Sequence, residues 1–318
     1  MKIVVLDGYT INPGDNPWEP LTDVGEVTFY DRSTPDEIVP RAADADAIVV
    51  NKVRITSDIL EQLPNLKLIS VTATGHDCVD VAAASQRSVA VCNVPEYSTD
   101  SVAQFVFSLL LNMVHNVATH DQLIREGEWQ RSGDFAFWRT PLVELAGKTM
   151  GVFGWGRIGR KVGTIAHAMG MNVLACSRSQ RNAGEYQGFD WATPEELFSR
   201  SDIISLHCPL TDETDTLVNS EKLSLMKPTA YLVNTARGGL IAEQDLAAAL
   251  AANKLAGAAL DVSTSEPIRD DSPLLTAPRC ILTPHIAWAT LASRKRCLQI
   301  TANNVSMFSA GSPVNLVN

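Results

Sequence analysis

The stretch VFGWGRIGRKVG, residues 152–163, decides the fold. It places Gly154, Gly156 and Gly159 in the order G-x-G-x-x-G, directly after an apolar run and at the start of a helical segment. Glycines at these points permit a tight turn, a close approach of the backbone to a pyrophosphate, and close packing of a helix on a strand. The motif therefore predicts a strand, a turn and a helix whose N-terminus binds the phosphates of a dinucleotide.

The residues around this motif predict a complete Rossmann domain over 100–286. Six apolar runs rich in β-branched residues alternate with helical stretches such as EQDLAAALAANK. The runs are KTMGVFG (148–154), NVLACS (172–177), DIISLHCP (202–209), AYLVNTA (230–236), GAALDV (257–262) and CILTPH (280–285). Such alternation is typical of a doubly wound parallel sheet.

A second α/β domain is predicted ahead of it. KIVVLD (2–7), AIVVN (47–51), KLISVTAT (67–74) and VAVCNV (89–94) are separated by segments of helical length. A long buried helix should begin near Ser98 or Thr99, and a last helix over 291–311 has no strand after it. We therefore expect a discontinuous, flavodoxin-like substrate domain, 1–99 with 287–318, into which the Rossmann cofactor domain is inserted.

Composition excludes several other classes of protein. Of the 318 residues 45% are hydrophobic and 19% are charged, which is typical of a globular chain. The net charge of −10 argues against binding to nucleic acid or to an anionic membrane. Six scattered cysteines form no C-x-x-C pair, so no metal site is predicted. The first apolar run is too short for a signal peptide, and we expect a cytoplasmic protein.

Three polar residues at the ends of successive predicted strands could act together on a small anionic carbonyl compound. They are Arg237 in NTARGG, Glu266 in DVSTSEP and His285 in TPHIAWAT. An arginine can bind a carboxylate with two parallel hydrogen bonds, and a histidine can deliver a proton near neutral pH. A glutamate can orient the imidazole. Taken singly, a histidine or an arginine at a strand end is more often a surface or capping residue.

The segments GWGRIGR, NTARGG, LDVSTSEP and PHIAWAT follow the order and spacing of the D-2-hydroxyacid dehydrogenase family, which the chain resembles over nearly its full length. The resemblance implies that Arg237 holds the α-keto acid. It further implies that His285 protonates the carbonyl oxygen as hydride arrives from the nicotinamide, and that Glu266 favours the protonated histidine.

Within the family, ATGHDCVDVAAA, DFAFWRTPLVELAGK and HIAWAT are most similar to glycerate dehydrogenases, which reduce hydroxypyruvate and often glyoxylate to D-glycerate and glycolate. The likeness implies a substrate pocket formed by the backbone of Thr74 and Gly75 together with Asn51, Lys52, Trp288 and Trp138. Trp138 would reach the neighbouring subunit of a homodimer. Simple core packing is the alternative for both tryptophans. His76 or Asp77 stands where relatives usually have asparagine.

The resemblance also implies further cofactor contacts. They are Arg157 and Ile158 at the pyrophosphate, His207, Cys208 and Pro209 around the adenosine, Thr235 and Ala236 near the nicotinamide ribose, and Asp261 at the carboxamide. In ACSRSQRN, Ser177 occupies the strand-end position where an NAD-binding domain usually has an acid, and Arg178 and Ser179 follow. A hydroxyl and a guanidinium suit a 2′-phosphate, so NADP is the predicted cofactor, with NAD as the alternative.

Other functions stay open from the sequence alone. Phosphoglycerate and D-lactate dehydrogenases are sibling enzymes, although many phosphoglycerate dehydrogenases add a C-terminal domain that we do not expect here. Formate dehydrogenases carry glutamine where this chain has Glu266. A dinucleotide-sensing interaction protein is the alternative from another class, because some relatives keep the three polar residues and act by binding partners.

Overall fold

The computed structural model describes every residue from Met1 to Asn318. The chain divides into two compact units, one formed by Met1–Ser98 with Trp288–Asn318 and the other by Thr99–Ala287. Each unit contains one parallel sheet with crossover helices, so the predicted fold class is confirmed.

The first unit is built on a five-stranded parallel sheet in the order β2-β1-β3-β4-β5. Its strands are β1 (Lys2–Val5), β2 (Glu26–Phe29), β3 (Ala47–Val50), β4 (Leu68–Val71) and β5 (Ala90–Cys92). Its helices are α1 (Glu19–Thr22), α2 (Pro35–Ala42), α3 (Ser57–Glu61), α4 (Val81–Gln86) and the C-terminal helix Leu291–Ser309. The central strands β3 and β4 are buried along their whole length. The C-terminal helix packs against β4 and α1, which returns the end of the chain to this unit.

The second unit is built on a seven-stranded parallel sheet in the order β12-β11-β10-β9-β6-β7-β8. Its strands are β6 (Thr149–Phe153), β7 (Asn172–Cys176), β8 (Phe189–Trp191), β9 (Ile203–Leu206), β10 (Tyr231–Asn234), β11 (Gly257–Leu260) and β12 (Cys280–Leu282). Its helices are α5 (Thr99–His115), α6 (Val117–Arg125), α7 (Glu128–Ser132), α8 (Arg157–Ala168), α9 (Pro194–Arg200), α10 (Ser220–Leu225) and α11 (Glu243–Ala251). The strand order reverses between β6 and β9. In open α/β sheets ligands bind at the carboxyl ends of the strands at such a point.

Two strands were missed by the sequence analysis, and both lie at a sheet edge. In β2 and in β8 every residue is exposed or half-buried. An edge strand is covered on fewer sides, so it needs no continuous apolar run and gives no such signal in the sequence.

No single helix is long and apolar enough to cross a membrane. Helices α5 and α6 reach the length and apolar composition of a membrane span only when they are counted together, and a 50° bend separates them. Much of α5, including Val106, Leu110 and Val114, is fully buried in the core of the second unit. That burial explains the apolar composition of the helix.

Candidate active site

The glycine turn joins β6 to α8, and its first and third glycines are required by packing. Gly154 has a φ of +104°, and a Cβ there would lie 2.5 Å from the carbonyl carbon of His207. A Cβ on Gly159 would lie 2.1 Å from the carbonyl oxygen of Gly154. No side chain fits at either place, so the glycines hold the turn close to the neighbouring loop and α8 close to β6.

Gly156 is different, because a Cβ there would meet nothing within 4 Å. It is the N-cap of α8, and no side chain caps this helix or places an acid in its first turn. The N–H groups of the first turn and the open space above Gly156 therefore suit a pyrophosphate. Arg157 and Ile158 are the first two residues of this helix.

Thr235 provides a second sign of a bound group at this edge of the sheet. It follows β10, and its hydroxyl is buried without a hydrogen-bond partner. A buried hydroxyl is rarely left unsatisfied in a native protein. Together with the open N-terminus of α8, this unsatisfied hydroxyl fits the dinucleotide predicted from the glycine motif. Ala236, the next residue, is half-buried.

The strand β7 ends where the cofactor-selecting residues were predicted. Ser177 is half-buried, and Arg178 and Ser179 are exposed. Arg178 makes no salt bridge within the chain. The end of β7 therefore offers a hydroxyl and an unpaired guanidinium, with no acid at the position of Ser177.

His207, Cys208 and Pro209, the residues predicted to surround the adenosine, follow β9. Nε2 of His207 lies 2.8 Å from the hydroxyl of Ser205. Burial lowers the pKa of His207 to about 3. This histidine is therefore neutral at physiological pH and unsuited to proton delivery. Cys208 is buried, and Pro209 is exposed.

Glu266 and His285 are in direct contact although they lie in different loops. Nδ1 of His285 lies 2.7 Å from Oε2 of Glu266, and the two side chains are 23% and 37% exposed. A carboxylate accepts hydrogen bonds, so Nδ1 carries the proton in this contact and Nε2 is left to face a ligand. The backbone of His285 has a φ of 54°, a left-handed conformation that is costly for a residue other than glycine.

Asp261 organises the loop that carries His285, a role that the sequence analysis missed. The carboxylate of Asp261 is fully buried and accepts hydrogen bonds from the hydroxyl of Thr283 (2.6 Å) and from the N–H groups of Ile286 (2.9 Å) and Ala287 (2.7 Å). Its carbonyl oxygen accepts the N–H of His285 at 2.8 Å. Burial raises the pKa of Asp261, and the hydrogen bonds oppose that rise. The predicted contact with a carboxamide stays a prediction.

Arg237 follows β10 and lies in the loop next to the one that carries Glu266. One of its guanidinium nitrogens, Nη1, donates to the carbonyl oxygen of Ala236 at 2.7 Å. A Cβ on Gly238 would lie 1.9 Å from the carbonyl carbon of Ser263. The backbone of the Arg237 loop therefore approaches that of the Glu266 loop closely at Gly238, and this glycine is a second signal in NTARGG.

The residues predicted for the substrate pocket lie mostly in the first unit. The amide of Asn51 is buried and donates to the hydroxyl (3.0 Å) and carbonyl oxygen (3.1 Å) of Thr72, while Lys52 is exposed. The hydroxyl of Thr74 donates to the carbonyl oxygen of Val94 at 2.8 Å. No hydrogen bond within the chain uses the N–H groups of Thr74 and Gly75, which leaves two donors suited to a carboxylate.

Asp7 is a residue of this region that the sequence analysis missed. Its carboxylate accepts hydrogen bonds from the N–H groups of Asn51 (2.7 Å), Lys52 (2.6 Å) and Val53 (2.9 Å). It therefore holds the loop after β3, which contains two of the predicted pocket residues. The sequence did offer one sign of this role, because Asp7 is the acid that ends the first apolar run, KIVVLD.

The two tryptophans differ in their surroundings. Trp288 is half-buried, packs on the core of the first unit and meets the ring of Tyr97 edge-on at 6.2 Å between centroids. Trp138 is 65% exposed, so core packing within this chain does not explain it.

The chain is similar to several known proteins. A sequence model of the family described as "D-isomer specific 2-hydroxyacid dehydrogenase, NAD binding domain" matches residues 107–287. A hydroxypyruvate reductase from Blautia hydrogenotrophica is 47% identical, with 100% of both chains covered. A glycerate dehydrogenase from Methylorubrum extorquens is 38% identical, with 89% of each chain covered. Among solved structures, an NADPH-dependent glyoxylate/hydroxypyruvate reductase from Sinorhizobium meliloti in complex with citrate has a TM-score of 0.83 and 29% identity, and covers 99% of this chain and 97% of its own.

Proposed function

The chain belongs to the D-2-hydroxyacid dehydrogenase family, and from this premise we propose that it reduces hydroxypyruvate to D-glycerate and glyoxylate to glycolate, with NADPH as the preferred cofactor. The observation that carries the proposal is the contact between His285 and Glu266 at 2.7 Å. It supplies a proton donor held in one orientation, and the arginine that would bind the acid follows β10, the strand next to β11.

Each residue of the trio has one step in the proposed reaction. Arg237 binds the carboxylate of the keto acid through its planar fork. His285 gives the proton on Nε2 to the carbonyl oxygen, while Glu266 holds Nδ1 and stabilises the imidazolium before that transfer. The free N–H groups of Thr74 and Gly75 would bind carboxylate oxygens. Asn51 and Lys52, in the loop after β3 of the same unit, are proposed to line the same pocket. Trp288 and Trp138 are proposed as its walls.

The second unit would hold the cofactor, which supplies a hydride when it is bound and reduced. The first turn of α8, from Gly156 to Ile158, would bind the pyrophosphate, and Thr235 with Ala236 would bind the nicotinamide ribose. His207, Cys208 and Pro209 would surround the adenosine, and Asp261 would lie near the carboxamide. NADPH is preferred in this proposal because Ser177 and Arg178 face a 2′-phosphate without a competing acid.

A homodimer in the cytoplasm is part of the proposal. Segment 117–142 exposes six large apolar side chains, which supports burial against a second subunit. They are Val117, Ile124, Trp129, Phe135, Trp138 and Leu142.

The test is a steady-state panel of keto acids with both cofactors. Hydroxypyruvate and glyoxylate should give the highest kcat/KM, ahead of pyruvate and phosphohydroxypyruvate, and NADPH should exceed NADH. Ser177→Asp combined with Arg178→Ala should lower the NADPH to NADH ratio by about tenfold or more, since a hydrogen bond to a charged group contributes about 1.5–3 kcal/mol. Arg200→Ala, which removes another exposed arginine of the same unit, is the control and should leave the ratio unchanged. Equal rates with pyruvate would refute the substrate assignment, and an unchanged ratio in the double variant would refute the cofactor assignment.

A further inference from the structure

The loop after β7, residues 177–187, makes a single hydrogen bond to the rest of the second unit, and Tyr186 near its end packs on His167 and Phe189. The indole N–H of Trp155 donates to the carbonyl oxygen of Asn182 at 2.7 Å. No other residue from Ser177 to Gln187 makes a hydrogen bond or a salt bridge. Asn182 has a φ of 51°, a left-handed conformation that turns the chain sharply at this contact. The loop carries Arg178 and Arg181, both exposed.

Trp155 is itself held in one place. It stands between Gly154 and Gly156 in the glycine turn and is only 6% exposed. Its ring packs on Phe189 and Trp191, with centroids 5.0 Å and 6.2 Å away. A Cβ on Gly163 of α8 would lie 2.5 Å from this ring, so the ring leaves no room for a side chain at this position of the helix. The direction of the indole N–H is therefore fixed by packing.

We propose that Trp155 is a positioning residue that holds the 177–187 loop beside the glycine turn, so that Arg178 and Arg181 are placed for a 2′-phosphate. The part that concerns the 2′-phosphate rests on the proposed preference for NADPH. A loop without this tie would have to be ordered when the cofactor binds, and that entropy would reduce affinity for the phosphorylated dinucleotide. Binding of NADH, which lacks the 2′-phosphate, and the chemical step would be little affected.

Limited proteolysis of the protein without cofactor tests the tie directly, since trypsin cleaves after Arg178 and Arg181. Trp155→Phe keeps an aromatic ring at this position but removes the indole N–H that donates to Asn182. Cleavage in the loop should become about fivefold faster, because the lost hydrogen bond favours local opening by about that factor. Trp191→Phe is the matched control: it alters the same aromatic cluster, its indole makes no hydrogen bond to the loop, and cleavage should match the wild type.

Gly163→Ala is the second variant, because its Cβ would lie 2.5 Å from the Trp155 ring and 2.9 Å from the hydroxyl of Tyr186, so it keeps the indole but displaces both contacts of the loop. Trypsin should also cleave the loop of this variant faster than that of the wild type. If Trp155→Phe does not fold, this comparison alone tests the proposal. Loss of one hydrogen bond predicts a rise of about fivefold in the cleavage rate. Rates within about twofold of wild type in both variants would therefore overturn the proposal.

Kinetics separate this inference from the proposed cofactor preference. In Trp155→Phe the KM for NADPH should rise about fivefold while kcat and the KM for NADH stay near wild type. Faster cleavage with no preference for NADPH in the wild type would refute the cofactor assignment and leave the positioning role standing. Normal cleavage with a clear preference for NADPH would refute the positioning role alone.

Discussion

The replacement of His207 by asparagine should make the second unit less sensitive to acid. Burial lowers the pKa of His207 to about 3, against a usual value of 6.5, and its Nε2 lies 2.8 Å from the hydroxyl of Ser205. Between these two pH values the unfolded chain binds a proton at this histidine and the folded chain does not. Stability contributed by the neutral histidine is therefore complete above pH 6.5 and is lost as the pH falls towards 3.

The size of this effect at pH 5 depends almost entirely on the unfolded state. An unfolded histidine with a pKa near 6.5 gains about 2 kcal/mol from protonation at pH 5, whereas a folded group with a pKa of about 3 gains almost nothing. A folded pKa of about 4 would change the result by only about 0.1 kcal/mol. The prediction is thus insensitive to the exact depression of the pKa.

Urea unfolding of the wild type and of His207→Asn, at pH 8 and at pH 5 without cofactor, measures the effect as a double difference. The variant will lose some stability at both pH values because it loses packing, and that loss cancels in the double difference. On going from pH 8 to pH 5 the wild type should lose about 2 kcal/mol more than the variant. A double difference below about 0.5 kcal/mol would show that the histidine is protonated in the folded protein, and the argument would fail.

Three further predictions concern the proposed catalytic and cofactor residues. Arg237→Ala should lower kcat/KM for hydroxypyruvate by about 100-fold or more, and a loss within about threefold, under 1 kcal/mol, would rule out its role as the carboxylate clamp. Glu266→Gln should lower kcat by about tenfold to 100-fold with little change in the KM for NADPH, since the imidazolium loses a negative partner; an unchanged kcat would rule out the role of Glu266. Gly156→Ala should leave the melting temperature unchanged and raise the KM for NADPH, because the added Cβ meets no protein atom within 4 Å and would occupy the space proposed for the pyrophosphate. Gly159→Ala, whose Cβ would clash with the turn, should instead lower the melting temperature, and equal behaviour of the two variants would contradict the assigned packing.

Most of the strands that the sequence predicted lie inside a sheet, where burial demands an apolar run; the edge strands β5 and β12 were found as well. β3, β4 and β9 are buried at every position, and each was visible as a continuous run of apolar residues. β2 and β8 lie at sheet edges and escaped notice because no such run is required there. The glycine motif fixed the position of the turn, since backbone contacts at Gly154 and Gly159 leave no room for a side chain.

The parts of the site that could not be predicted depend on contacts between distant loops. The left-handed backbone of His285 and its hydrogen bonds to Asp261 follow from how the loops after β11 and β12 meet. Neither has a local pattern that a single sequence displays. The contact between Trp155 and Asn182 is of the same kind, because any large side chain at residue 155 would have preserved the G-x-G-x-x-G motif.

The order of the strands separates the residues proposed for cofactor selection from those proposed for catalysis. Arg237, Glu266 and His285 follow β10, β11 and β12, whereas Ser177 and Arg178 follow β7. β10, β9 and β6 lie between β11 and β7, which puts the two strands about 19 Å apart at the usual spacing. Side chains at that distance share no direct contact, so substitutions at the two places should act additively on the free energy of activation. Combining Ser177→Asp and Arg178→Ala with Glu266→Gln should therefore multiply their separate effects on kcat/KM, and a departure of more than about 0.5 kcal/mol from additivity would show that the two ends of the sheet are coupled.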